Sequence, residues 1–282
     1  MAIIPTIEYE TKLQERLNAP MVWKEILNVH YTDSGILRNP YLTDSTVSTG
    51  TRGTGYTSVA VATVDDTVTI SVYLYSAQHI DDADLAQKTF SDFMEIADNM
   101  GTLLHEKVET SMLLEHPQWT NIDNTNLGGA AGNITVSISN IKQIIAAMKT
   151  AIRNAGGAEM ANRHGMFIQW READFEKVEL LASSEGFNVA DDALQNGIKQ
   201  GFKYLGVEHY STSKNVATHV FGGVKKSMDV GIVKSTYGRM KTIVNPVVAT
   251  AQISGIGLES RIDLAFKVWT KMVPVAFDIN VV

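Results

Sequence analysis

The chain has 282 residues, 44% of them hydrophobic, and its 24 basic and 31 acidic side chains give a formal net charge of −7. That is enough apolar material for a sizeable core in one domain or two closely joined ones, so disorder is not the expected state. The absence of cysteine excludes disulfides, thiolate catalysis and cysteine-based zinc or iron–sulfur centres.

The opening residues, MAIIPTIEYETK, lack the basic start and long apolar stretch of a signal peptide. No later apolar run approaches the roughly eighteen residues of a membrane span, so a soluble protein made in the cytoplasm is expected. Residues 1–43 read as an arm with a short amphipathic piece over 7–17 and turns near Pro20, Gly35 and Pro40.

A long polar hairpin is expected next, over residues 44–80. Its loop, STGTRGTGYTS from 48 to 58, contains Gly50, Gly53 and Gly55 and a single cation, Arg52. Such a stretch has little to bury. Period-two alternation begins at Tyr56, and Asp65 and Asp66 supply turn chemistry. The return run puts Val68, Ile70, Val72 and Leu74 on one face and Thr67, Thr69, Ser71, Tyr73 and Tyr75 on the other. At about 3.3 Å per residue each strand would reach roughly 30 Å, and an isolated ribbon of that length is marginal in water. It needs a surface to lie on, which suggests an arm made to reach another subunit.

A long helix follows, announced by Asp81, Asp82 and Asp84 as capping carboxylates. Phe90, Phe93, Met94, Ala97, Met100, Leu104, Val108 and Met112 recur near one helical turn, and Pro117 ends the pattern. Its length of roughly 50 Å, against a radius of gyration of ~19 Å for a globule of this size, makes it a strut. Gly101 inside it costs about 1 kcal/mol relative to alanine and marks either a bend or a close contact.

Beyond Pro117 a polar link over 118–132 leads into a second region. A short strand is expected over 134–138, then a helix carrying Ile141, Ile144, Ile145, Met148 and Ile152 that stops at Gly156 and Gly157. Residues 166–170 read as a buried strand, 172–183 as a helix, 190–205 as another helix, and 207–210 as a strand. The remainder is strand-like, with 262–269 readable as helix or strand. There is no regular strand–helix alternation, which makes this an α+β chain and argues against a doubly wound nucleotide fold.

The sequence offers little chemistry. Gly50 and Gly55 have the spacing of a phosphate loop, but Tyr56 stands where the lysine belongs and a strand follows instead of a helix. The Gly128–Gly132 run reads as a linker. The seven histidines occur singly, with no pair at helical ligand spacing, so polar surface or core roles are expected and no metal or cofactor site. Asp81, Asp82 and Asp84 lack the glycine and terminal glutamate of a calcium loop. No nucleophile signature appears. Charge is unevenly placed: residues 1–120 hold 7 basic and 17 acidic groups, residues 121–282 hold 17 and 14.

The succession of N-terminal arm, hairpin, spine helix, mixed body and strand-rich end resembles the major capsid protein of tailed double-stranded DNA bacteriophages. The passages GMFIQWREADFEKVELLASS (165–184), ALQNGIKQGFKYLGVEHYSTS (193–213), FGGVKKSMDVGI (221–232) and LAFKVWTKMVPVAFDINVV (264–282) are similar to that family's body segments. The resemblance implies an N-terminal arm (1–43), an extended loop (44–80), a spine helix with peripheral domain (81–132), a mainly axial domain (133–260) and returning C-terminal strands (261–282). It also implies hexamers and pentamers in an icosahedral virion shell, assembled in the host cytoplasm around DNA contacted non-specifically. Scaffolding, portal and cement proteins would be partners. On that reading Gly50, Arg52, Gly53, Gly55, Asp65 and Asp66 belong to the intersubunit arm, and no catalytic residue is expected. Residues 44–76 contain no lysine, so the loop cross-link known in some relatives is not expected. Two other readings stay open: an encapsulin-type compartment, and a soluble hydrolase using His209 or His219 with a nearby aspartate.

Overall fold

The computed structural model describes residues 6–18, 21–43, 52–53, 60–81, 90–185, 201–214, 216–245, 247–248, 251–252 and 254–282. In chain order, helices α1 (Thr6–Asn18) and α2 (Val22–Ile26) precede strands β1 (Asn28–Thr32), β2 (Ile36–Leu42), β3 (Thr63–Thr69) and β4 (Val72–Asp81). Helix α3 (Phe90–Leu113), strand β5 (Thr120–Ile122), helices α4 (Ile141–Asn154) and α5 (Ala158–His164), strand β6 (Met166–Arg171) and helix α6 (Glu172–Ser184) follow. The rest is strand: β7 (Gly201–Tyr204), β8 (Val207–Thr212), β9 (His219–Val224), β10 (Asp229–Val233), β11 (Met240–Val244), β12 (Val247–Val248), β13 (Ala251–Gln252), β14 (Gly255–Lys267) and β15 (Ala276–Asn280). No described helix is long and apolar enough to cross a membrane.

Helix α3 is the expected spine. Ala97, Met100, Leu104, Val108 and Met112 are all buried along one stripe, against Leu13 and Leu17 of α1 and Trp23 of α2. Gly101 marks a close contact: a Cβ there would lie 3.0 Å from Arg16 Cβ and Cγ and 3.4 Å from Leu13 Cδ1. Asp81 does not cap this helix, because it is the last residue of β4 and pairs with Gly255. Asp82 and Asp84 lie outside the described residues.

The spine packs on a five-stranded sheet in which β14 is the organiser. All of β4 pairs antiparallel with it from Asp81–Gly255 to Val72–Leu264, while β11 and then β10 pair with it as well, and β1 joins β10 in parallel. The 262–269 stretch, ambiguous in sequence, is therefore mostly strand. Leu74, Ile80, Leu258 and Ile262 turn inward and complete the first core with α1 and α3.

A separate two-stranded ribbon, β2 with β3, lies with its inner face against this body, Leu37 packing on Gly231 of β10. Its register runs from Ile36–Thr69 to Leu42–Thr63 and continues as a Thr43 N to Ala62 O hydrogen bond of 2.9 Å. This corrects two expectations. Asp65 and Asp66 sit inside β3 opposite Pro40 and Asn39 and form no turn, and Pro40 is a strand residue. The alternation over 67–75 was sound, but the partner strand is β2, earlier in the chain, and β4 belongs to the body.

The second sheet has the order β5-β15-β9-β6-β8-β7. On one face Ile168, Trp170, Val220, Phe277 and Ile279 meet Ile141, Ile144, Ile145 and Met148 of α4 and Val178 of α6 in a second core. The opposite face carries Phe167 and Phe221 toward the spine core. Gly223, at φ +141°, lets β9 approach the chain before β15, since a Cβ would fall 2.3 Å from Val275 O. The expected helix over 190–205 ends instead in β7, where Gly201 pairs with Tyr210 and leaves room for its ring. Its residues 186–200 lie outside the described ones. Residues 118–132, expected to be a link, contain β5, which pairs in parallel with β15. The strand expected over 134–138 is reduced to a single bridge between Ile134 and Val281.

Candidate assembly arm and spine–sheet junction

Two regions concentrate polar groups: the stem of the ribbon, and the junction between spine and second sheet. In the ribbon, alternate residues of β2 and β3 are exposed, and the register puts Ile36, Arg38, Pro40, Leu42, Thr63, Asp65, Thr67 and Thr69 on the same outward face. Arg38 and Asp65 form an exposed ion pair at 3.8 Å on that face. Such a pair adds little stability in water.

The inward face is tied to the body. Asp66 accepts hydrogen bonds from the Thr270 amide at 3.0 Å and hydroxyl at 2.9 Å, with Lys267 Nζ at 3.6 Å. Burial alone would raise this carboxyl, but the Thr270 bonds and the Lys267 charge outweigh it and hold it below the usual carboxylate range. Lys271 Nζ lies 5.2 Å from the Tyr41 ring centroid, a second clasp on the same face. Arg52 and Gly53 form an exposed turn, with Gly53 at φ +95°. Gly50 and Gly55, and with them most of the phosphate-loop look-alike, lie outside the described residues.

At the junction, the spine-facing side of the second sheet is unusually polar. Gln169 Nε2 donates to Glu109 of α3 at 2.5 Å, and Lys214 Nζ meets Glu106 at 2.8 Å. Burial pushes the Glu109 carboxyl up, against the hydrogen bonds of Thr212 and Gln169. Tyr210 donates toward Glu25 at 2.8 Å and Glu208 at 2.6 Å, and Lys225 Nζ reaches Glu208 at 2.5 Å. These contacts fasten α2, α3 and the sheet edge by charge-assisted hydrogen bonds.

Four of the histidines fall into two environments. His209 is in the second core, accepting from Trp170 Nε1 at 2.9 Å, and burial lowers its imidazole to about 4. His105 is equally enclosed beside Trp23 Nε1, at 3.3 Å, and is likewise lowered to about 4. His219 does not approach His209. Both strands pair with β6, and the registers Ile168–His209 and Ile168–Gly222 place His209 on the face opposite His219. What His219 meets is Asp278, at 2.8 Å, and His116, whose ring stacks on it at 3.7 Å between centroids. Sequence reading missed this trio because its members come from the end of the spine, β9 and β15, with no common spacing.

No family model matches the chain, and no curated protein matches it. Solved structures do share its fold. The cyanophage P-SCSP1u capsid is 13% identical with a TM-score of 0.59, over 93% of this chain and 88% of that one. A chain from Mycobacterium phage Che8 is 12% identical with a TM-score of 0.60, over 93% and 96%. A virus-like particle from Pyrococcus furiosus is 12% identical with a TM-score of 0.58, over 97% and 98%. The α+β architecture is shared with these capsid and particle chains over most of its length.

Proposed function

We propose that this chain is a structural shell protein, the major capsid protein of a bacteriophage, with no catalytic step of its own. What carries the reading is that the likeness to the cyanophage capsid spans 93% of this chain and 88% of that one, so it rests on the fold as a whole and not on a single motif. Copies would associate head to tail into hexamers and pentamers, since such interfaces close into rings when the rotation permits. The shell would be the virion head, assembled in the host cytoplasm around DNA that it contacts without sequence preference. Scaffolding, portal and cement proteins would assist.

In this reading Gly50, Arg52, Gly53 and Gly55 form the reaching end of the ribbon and Asp65 its outward stem, while Asp66 holds the stem to its own subunit. Arg52 would pair with an acidic group of a neighbour. Arg52→Glu should lower the yield of stable shells without changing the melting temperature of the unassembled subunit. Unchanged shell yield would remove that assignment.

The likeness to the Pyrococcus furiosus particle, at a TM-score of 0.58 against 0.59 and 0.60 for the phage chains, is compatible with a second reading, a compartment that encloses something other than a genome. Electron microscopy of particles from cells expressing the chain, with nuclease-protected DNA measured on the same particles, separates the readings. Closed shells are expected, filled with DNA only when made by an intact phage. A uniform small oligomer in all preparations would refute the shell role.

A further inference from the structure

We infer that His116, His219 and Asp278 form a binding site for a divalent transition-metal cation of the zinc type, clamping the end of the spine helix to the second sheet. The three side chains each offer one ligand atom, and these lie within 4.8 Å of one another. His219 Nδ1 is 2.8 Å and His116 Nδ1 3.6 Å from Asp278 Oδ2. A tetrahedral ion with bonds of about 2.0–2.1 Å separates its ligands by roughly 3.4 Å, between those two values.

A second observation points to a missing partner. The Asp278 side chain is only 8% exposed, yet its Oδ1 is buried without any hydrogen-bond donor. A buried carboxylate oxygen left unpaired is costly, and a cation that Asp278 chelates through both oxygens would satisfy it. The 3.6 Å approach of His116 is too long for a hydrogen bond to the carboxylate, so protein groups alone do not complete the cluster.

Two imidazole nitrogens and one carboxylate oxygen form a donor set that suits zinc, with a fourth position for solvent. Coordination requires the stacked rings, at 18° between planes, to fan apart until both Nδ1 lone pairs converge. Both histidine side chains are 24% exposed, which leaves room for that rotation and a path for the ion.

The test is calorimetric titration of Zn2+ into the chelator-washed full chain. One ion per chain is expected, with affinity reduced about tenfold or more in His116→Gln and in His219→Gln and lost in the double variant. Equal binding by the double variant, or no stoichiometric binding by the wild type, overturns the site. Should the variants fail to fold, Co2+ added to the wild type decides: ligand-field bands of a tetrahedral site that saturate at one equivalent and are bleached by Zn2+ are expected, and their absence refutes the proposal.

Discussion

At the level of single residues, Gly101 exchanges helix propensity for proximity. A residue other than glycine would gain up to about 1 kcal/mol in the helix, but its Cβ would press on Arg16 Cβ and Cγ at 3.0 Å. Any γ-branch would then have to displace α1. Gly101→Val should therefore destabilise the unassembled subunit by roughly 1–3 kcal/mol, as overpacked cores do, and a chemical denaturation midpoint at or above wild type would show that the spine has slack. His105 and His209 act on stability through protons. Both are near 4 when folded and near 6.5 when unfolded, so the unfolded chain binds more protons between those values. The stabilisation is complete above the unfolded value and is lost as pH falls through the window, by about 2 kcal/mol per histidine at pH 5. Glu109 and Asp278, whose carboxyls burial raises, act in the opposite sense. His209→Gln should flatten the difference between denaturation midpoints at pH 7 and pH 5. An identical difference in wild type and variant would mean that His209 titrates normally in the fold.

At the level of elements, the β2–β3 ribbon is held from below by the Asp66 carboxylate, with Lys271 over Tyr41 as a second clasp. Charge-assisted hydrogen bonds of the kind Asp66 accepts from Thr270 contribute about 1.5–3 kcal/mol. Asp66→Ala should therefore speed amide exchange in β2 and β3 while leaving α3 and the β4–β14 pairing protected; uniform loss, or none, would contradict a local clasp. The same ribbon shows what a single chain discloses. Alternation over Val68, Ile70, Val72 and Leu74 was legible because it reflects the pleat of the strand itself, whatever lies beside it. The identity of the partner was not, since ILRNPYL has a central proline and its outward side chains look like those of a loop. The spine stripe was legible for the corresponding helical reason, although its start was displaced because β14 recruits Asp81 into a strand. Residues 201–204 failed as a helix because pairing with β8 overrides local propensity. The histidine trio needed the β9–β15 register, where Asp278 pairs with Phe221 and so points to the same side as His219. No spacing in the sequence encodes that.

At the level of the whole molecule, the chain places its own stability and its reach in different parts. Two cores, one around the spine and one around α4, are complete within the subunit. The ribbon contributes to neither on its outward face, where Ile36 and Leu42 stay 40% and 60% exposed, and Val61 beyond its end is 57% exposed. Apolar side chains at the far end of an extended element gain nothing from remaining in water. The 24 residues of α3 span about 36 Å within the body, and the ribbon is fastened to that body at Thr270 and Lys267. Folding and assembly should consequently be separable. Thr43 and Ala62 already face each other through a hydrogen bond of 2.9 Å, so replacing residues 44–61 by Asn-Gly closes the ribbon with a two-residue hairpin turn and preserves its register. The shortened subunit should keep its circular dichroism spectrum and melt within a few degrees of wild type, yet form closed shells at a small fraction of the wild-type yield. Full shell yield would mean that the body interfaces suffice and that the ribbon end is dispensable. Loss of the folded subunit would mean that residues 44–61 pack into a core, against the exposed stem on which they are carried.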